Sequence, residues 1–124
     1  MDTHSYIILN LTRQTSIATQ IRLADTARAR RIGLVNHTHL EKGEGLLIQP
    51  RRWLPLIVIH TIRMKFPIDI FFLDKNKRVL EICTLPPNRV ACVLGVRWVL
   101  ETAEGTIVTS STQENDQIEF VMNP

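Results

Sequence analysis

The chain has only two cysteines in 124 residues, Cys83 and Cys92. That is too few, and the two are too far apart, for a disulfide scaffold or a thiolate zinc module. Each lies in an apolar run, so both read as small buried hydrophobes. Long apolar stretches are also missing. None approaches the ~20 residues of a membrane-spanning helix, and the longest, Leu54 to Ile59, is interrupted by Pro55. The start, Met1-Asp2-Thr3-His4, lacks the basic residues of a signal peptide, and no small-residue cleavage site follows Tyr6 to Leu11. The expectation is a cytoplasmic protein with no membrane partner.

Basic residues stop at Arg97, beyond which only Glu101, Glu104, Glu114, Asp116 and Glu119 carry charge. Between Arg28 and Lys65, by contrast, eight Lys and Arg face only Glu41 and Glu44. Such asymmetry either draws an anion to one face or lets the two halves attract each other within a closed domain. Aromatic–basic interleaving, zinc-finger spacing and a helix-turn-helix pattern are absent, so nucleic acid is not an expected partner. Arg51-Arg52-Trp53 is the only local hint of one. No Gly-x-Ser-x-Gly and no activated-cysteine signature places a nucleophile.

What is present is strand. With 44% hydrophobic and 22% charged residues the composition is globular, and the length fits a single domain over residues 1–124. Ser5 to Leu11 and Ile17 to Leu23 are β-branched runs joined by a polar turn, an opening hairpin. Asp25 or Thr26 can cap a short helix near residues 26–34, closed by Gly33. Gly45 to Ile48, Leu56 to His60, Ile68 to Leu73, Arg78 to Leu85, Arg97 to Thr102 and Gln117 to Val121 read as further strands. The Ser/Thr-rich connection before the last has room for a helical turn, and Asn76 is the residue expected to supply a left-handed conformation at 74–77. The expected fold is mostly β, a compact jelly-roll-like sandwich or barrel with one short helix in the N-terminal half.

Four segments together resemble the bacterial and archaeal family DUF192. They are Arg31-Ile32-Gly33-Leu34-Val35 with Leu40, Gly45-Leu46-Leu47-Ile48, the run from His60 to Asp74 (HTIRMKFPIDIFFLD), and Val99-Leu100-Glu101 with Gly105. The third is the specific one and corresponds to the family's His-Thr, Met-x-Phe-Pro-Ile-Asp, Phe-Leu-Asp signature. The resemblance spans roughly residues 19 to 121. It implies a compact, mostly β, jelly-roll-like domain and a set of candidate positions rather than a reaction. Val35 stands where the family usually has Met, Lys77 where Gly is common, and Asn115-Asp116 where Gly-Asp is usual.

Asp69 precedes Ile-Phe-Phe and is expected to be partly buried, so it needs donors. It is either a lock that accepts backbone hydrogen bonds and holds the Phe66-Pro67 turn, or a cleft residue beside His60. His60 and Asp69 could form an acid/base couple, although His60 among apolar neighbours also suits a hydrogen-bonded wall. Glu101 shares a strand face with Arg97 and Val99, as an edge charge or as the partner of a basic residue from the first half. His37 and His39 have a metal-like spacing but lack a third ligand, so no metal and no cofactor are expected. Trp53 and Trp98 could stack on a sugar or simply pack. These features favour a non-catalytic module that binds a small anionic or carbohydrate-like ligand, or a protein partner, through a cleft around His60, Arg63, Asp69 and Glu101. The alternative is a hydrolase or lyase using His60 and Asp69. Oligomeric state is not legible.

Overall fold

The structure, a computed structural model, describes residues 5–24, 34–35, 37–51 and 55–124. In chain order its strands are β1 (Ser5–Asn10), β2 (Thr15–Ala24), β3 (Glu44–Ile48), β4 (Leu56–His60), β5 (Ile68–Leu73), β6 (Val79–Leu85), β7 (Val90–Leu94), β8 (Trp98–Ala103) and β9 (Ile118–Met122). Among the described residues one five-residue helix, α1 (Thr106–Ser110), lies in the Ser/Thr-rich connection before β9. The fold is mostly β, as the alternating and β-branched runs predict. The helix predicted near residues 26–34 falls almost wholly outside the described residues. Val90–Leu94 is not among the strands expected from sequence.

Seven strands form one mixed sheet in the order β6-β5-β8-β3-β2-β1-β9, and β4 with β7 forms a separate antiparallel ribbon. The pairing of β2 with β3 is parallel; the other pairings in this sheet are antiparallel. The sheet curls until its two edges meet at one corner. There Arg78 bridges Gln117, Val79 N–H donates to Asp116 O at 3.0 Å, and Ile118 N–H to Lys77 O at 2.9 Å. Joining the edges removes part of the unpaired backbone that an open sheet would present.

The curl creates two cores. Ile8, Ile21, Leu47, Phe71, Leu73, Leu100 and Ile118 fill its inside. Leu46, Ile48, Ile70, Phe72 and Val99 line the opposite face, which is covered by Ile57 and Val93 of the ribbon and by Leu34 and Met64. β5 lies between β6 and β8 with apolar side chains above and below, which explains its continuous Ile-Phe-Phe-Leu run in place of alternation.

Two sequence expectations fail locally. The left-handed residue at 74–77 is Lys77, with φ 62°, not Asn76. Asp74 organises the turn, its Oδ1 accepting from Asn76 N at 2.8 Å and from Arg78 N at 3.0 Å. The Lys77 ammonium lies 4.9 Å from the Phe120 ring centroid and 5.9 Å from that of Trp98. Cation–π attraction there offsets part of the ~1 kcal/mol that a non-glycine residue costs in this region. Neither cysteine is a fully buried hydrophobe: Cys83 is half-buried and Cys92 exposed. Alternation along β7 turns Val93 inward and Cys92 out.

Candidate functional site

Asp69 is the second residue of β5, opposite Thr84 on β6 and Thr102 on β8. Only 1% of its surface is exposed. Thr84 Oγ1 donates to its Oδ1 at 2.7 Å, while Gly105 N and Ile107 N donate to Oδ2 at 3.1 and 2.9 Å. These backbone groups belong to the start of α1, not to the Phe66-Pro67 turn. Gly105 occupies the N-cap with φ 99° and has no side chain with which to cap. A carboxylate from another strand therefore takes over the unsatisfied N–H groups.

His60 ends β4 on its exposed face, and its Nδ1 accepts from Ile62 N at 3.3 Å. Among the described residues no hydrogen bond joins His60 to Asp69. Arg63 follows at φ 70°, its N–H donating to Asn88 Oδ1 at 3.2 Å, and its guanidinium forms no ion pair among the described residues. The loop carrying both is held by Thr61, which sequence reasoning passed over. Fully buried, Thr61 donates from Oγ1 to Pro86 O at 2.6 Å and accepts there from Arg89 N at 2.9 Å. The signal was available: Thr61 is a small hydroxyl between an apolar strand and a turn, where such groups satisfy loop backbone.

Glu101 lies on the opposite side of the sheet from Asp69. It sits directly between Leu46 of β3 and Ile70 of β5, both members of the core beneath the ribbon. Neither sequence reading of Glu101 fits this position. β8 is an interior strand, so the residue is not an edge charge. Among the described residues no cation pairs with it either. It is 5% exposed, and no described group donates a hydrogen bond to its carboxyl. Burial pushes its pKa up to about 7. The four residues expected around one cleft thus occupy three settings: Asp69 beneath α1, Glu101 on the other face, and His60 with Arg63 on the exposed loop.

His39 Nε2 bonds Glu41 Oε1 at 3.0 Å in solvent, whereas the Nδ1 of His37 is buried and finds no partner among the described residues. Among the described residues no three His, Cys, Asp or Glu side chains are grouped to hold a metal ion. Trp53 lies outside the described residues. Trp98 packs edge-to-face on Phe120 with centroids 5.1 Å apart.

A second polar cluster, unforeseen from sequence, ties β1 to the segment before β9. Asp116 Oδ2 accepts from Asn10 Nδ2 at 3.0 Å, Arg13 Nε at 3.0 Å and Gln113 N at 2.9 Å. Burial alone would raise this carboxyl, but the hydrogen bonds from Arg13, Asn10 and Gln113 hold it below the ordinary value.

A curled mixed sheet carrying an apolar ribbon, with a capped helix at one end and a buried glutamate that no described residue pairs, defines a small, mostly β fold. The chain belongs to the DUF192 family ("Uncharacterized ACR"), whose model matches residues 9–120. Two archaeal relatives, UPF0127 protein PF1050 of Pyrococcus furiosus and UPF0127 protein PH1112 of Pyrococcus horikoshii, are 29% and 27% identical to it. The matches cover 91% and 92% of this chain and 97% and 98% of theirs. Among solved structures, a Sinorhizobium meliloti protein proposed to be a transcription regulator superposes with a TM-score of 0.82 at 16% identity, covering 96% of this chain and 94% of that one. A protein of unknown function from Novosphingobium aromaticivorans superposes at 0.77 and 19% identity, covering 93% and 83%. These two likenesses establish the fold alone. No helix among the described residues is long and apolar enough to cross a membrane.

Proposed function

We propose that this protein is a non-catalytic binding module whose small ligand is held at Glu101. One observation carries the reading: a carboxyl 5% exposed on a wall of Leu46, Ile70 and Val99, with no donor among the described residues. Buried polar groups are ordinarily satisfied, and one left unpaired costs stability. Such a group suits a partner that arrives from outside the fold. Its chemistry asks for a ligand that donates hydrogen bonds, so a carbohydrate-like polyol or an amine fits better than an anion at this point. An anionic portion of the ligand would find its countercharge at Arg63, on the loop whose Met64 and Phe66 pack against the same core. His37, whose buried Nδ1 has no partner among the described residues, sits on the segment whose Leu34, Val35 and Leu40 pack there too.

The second reading is an enzyme. Asp69 already accepts three hydrogen bonds and is a poor partner for His60, so a hydrolase or lyase built on that pair has less support. A carboxyl that titrates near neutrality does suit proton transfer, which makes Glu101 the better acid/base candidate. A thermal-shift screen of polyols, sugars and amines tests the proposal. Ligands of the folded state should raise Tm in the wild type and lose that effect in Glu101→Leu. Hits that bind without turnover support the module, and hits that are consumed support the enzyme. Hits that stabilise both proteins equally would remove Glu101 from the site.

A further inference from the structure

The outer face of the β4–β7 ribbon is apolar and open. Along the register its outward residues pair as Leu56 with Leu94, Val58 with Cys92 and His60 with Val90, and all six are exposed. Leu56 is 45% exposed, Val58 54%, Val90 56% and Leu94 69%, with Ile62 beside them at 48%. The inward set, Ile57, Ile59, Ala91 and Val93, already packs on the core, so folding places no demand for apolar residues on the outer set. A solvent-facing strand face ordinarily alternates to polar residues. This one carries none except His60 at its end.

From these exposures the patch presents about 500–600 Å² per chain, the top of the range for a free monomer. Two such patches face to face would bury about 1,000–1,200 Å², the lower bound for a specific interface. Charge fixes how they stack. The His60 end carries the exposed Arg63 and Arg89, whereas at the other end Leu56, Leu94 and their described neighbours Pro55 and Gly95 are uncharged. Stacked with strands antiparallel, the basic end of one copy lies over the Leu56–Leu94 rung of the other. The two basic ends then stand about 14 Å apart along the strand, beyond the ~8 Å Debye length at physiological salt.

We infer that this face is a self-association surface, pairing two copies of the chain through their ribbons about a twofold axis across the central Val58–Cys92 rung. The contact is isologous, β4 over β4 and β7 over β7, and it sets Cys92 of one copy opposite Cys92 of its partner. The inference does not rest on the Glu101 site, which lies on the inner side of the ribbon.

Sedimentation velocity of the full chain over a wide concentration range tests it. The mass should rise reversibly from 14.2 kDa towards twice that value at high micromolar concentration. Val58→Glu and Leu94→Glu should each hold the chain monomeric. Both sites are more than half exposed, so Tm measured in dilute solution should stay within a degree or two of the parent and establish that the variants fold. A short bis-maleimide should cross-link the wild type through Cys92 and leave Cys92→Ser unlinked. A monomer at every concentration overturns the proposal, as does a dimer that both glutamate variants leave intact. If the monomer instead co-sediments with phosphatidylcholine vesicles, the face belongs to a lipid surface and the proposal falls.

Discussion

Two carboxyls on adjacent rungs of the β5–β8 ladder illustrate opposite ways of burying an acid. Asp69 accepts three hydrogen bonds, all from neutral donors, so removing it orphans two backbone N–H groups and a hydroxyl. Asp69→Asn can turn its carbonyl to the two N–H groups and donate to Thr84, so we expect a loss of about 1 kcal/mol. Asp69→Ala leaves all three donors unsatisfied and should cost about 2–4 kcal/mol by urea unfolding, with α1 the first element to lose amide protection. Equal stability of Asp69→Ala and the wild type would show that the cap holds nothing. Glu101 is the reverse case. Its folded pKa, about 7, lies above the ordinary 4.5, so between those values the folded state holds a proton that the unfolded state has released. Stability therefore falls as pH rises from 4.5 to 7 and stays low above it. The shift corresponds to about 3 kcal/mol at full development. Glu101→Gln removes the titration, so it should match the wild type near pH 5 and exceed it by up to about 3 kcal/mol at pH 8. A constant difference across that range would mean that Glu101 does not titrate between the two states.

At the scale of elements, the tightest constraint is where β3 meets β8. A Cβ at Gly45 would overlap the carbonyl oxygen of Glu101 and crowd Ile21 Cδ1 at 2.9 Å. Because the first obstacle is backbone of a central strand, it has little room to move. Gly45→Ala should cost at the upper end of ~1–3 kcal/mol, measured as a fall in the urea midpoint. A neutral substitution would mean the two strands can separate without loss. This glycine opens a run that was legible in the sequence, as were the limits of β4, β5 and β6. In each case a β-branched or aromatic run is bounded on at least one side by Pro or a charged turn, a purely local signal. What stayed illegible was relational. Nothing within Val90–Leu94 says that its partner is Leu56–His60, thirty residues earlier, or that the pair would stand apart from the main sheet. Alternation correctly put Glu101 on the same face as Val99, but whether β8 is edge or interior depends on strand order, which no local pattern encodes. Asp69 reads as a buried acid in need of donors, yet the donors come from Gly105 and Ile107, distant in sequence. The site could thus be assembled as a set of residues but not as a place, because alternation along β5 and β8 sends two of its members to opposite faces.

For the whole molecule, the shifted groups together set a pH profile that no single group does. Asp116 binds Asn10, Arg13 and Gln113 and so fastens the β1 hairpin to the segment that leads into β9. Its folded pKa is lowered, so its contribution is complete above the unfolded value of 3.8 and is lost as pH falls through the still lower folded value. Glu101 acts on the other side, removing stability as pH rises from 4.5 to about 7. Burial raises the Cys83 thiol above 9.0, with Glu81 and Asp69 adding to it. Above that pH the unfolded chain releases a proton that the folded chain keeps, and stability falls again. Among the described groups with shifted pKa values, all three therefore leave their maximum between roughly pH 4 and 4.5. Against this stands the growing positive charge of a chain whose isoelectric point is near 9.2, which favours expansion in acid. That repulsion is spread over the surface and screened by salt, whereas the Glu101 contribution is local and buried, so at 0.15 M salt the local effect should prevail. Tm should accordingly rise, not fall, on going from pH 8 to pH 5, and drop below pH 3.8. In Glu101→Gln the rise should vanish while the acid drop persists; in Asp116→Asn the drop should shrink while the rise remains. A wild-type maximum near neutrality would mean that Glu101 is stabilised in its charged form, and would point to a cation at the site where the proposed ligand binds.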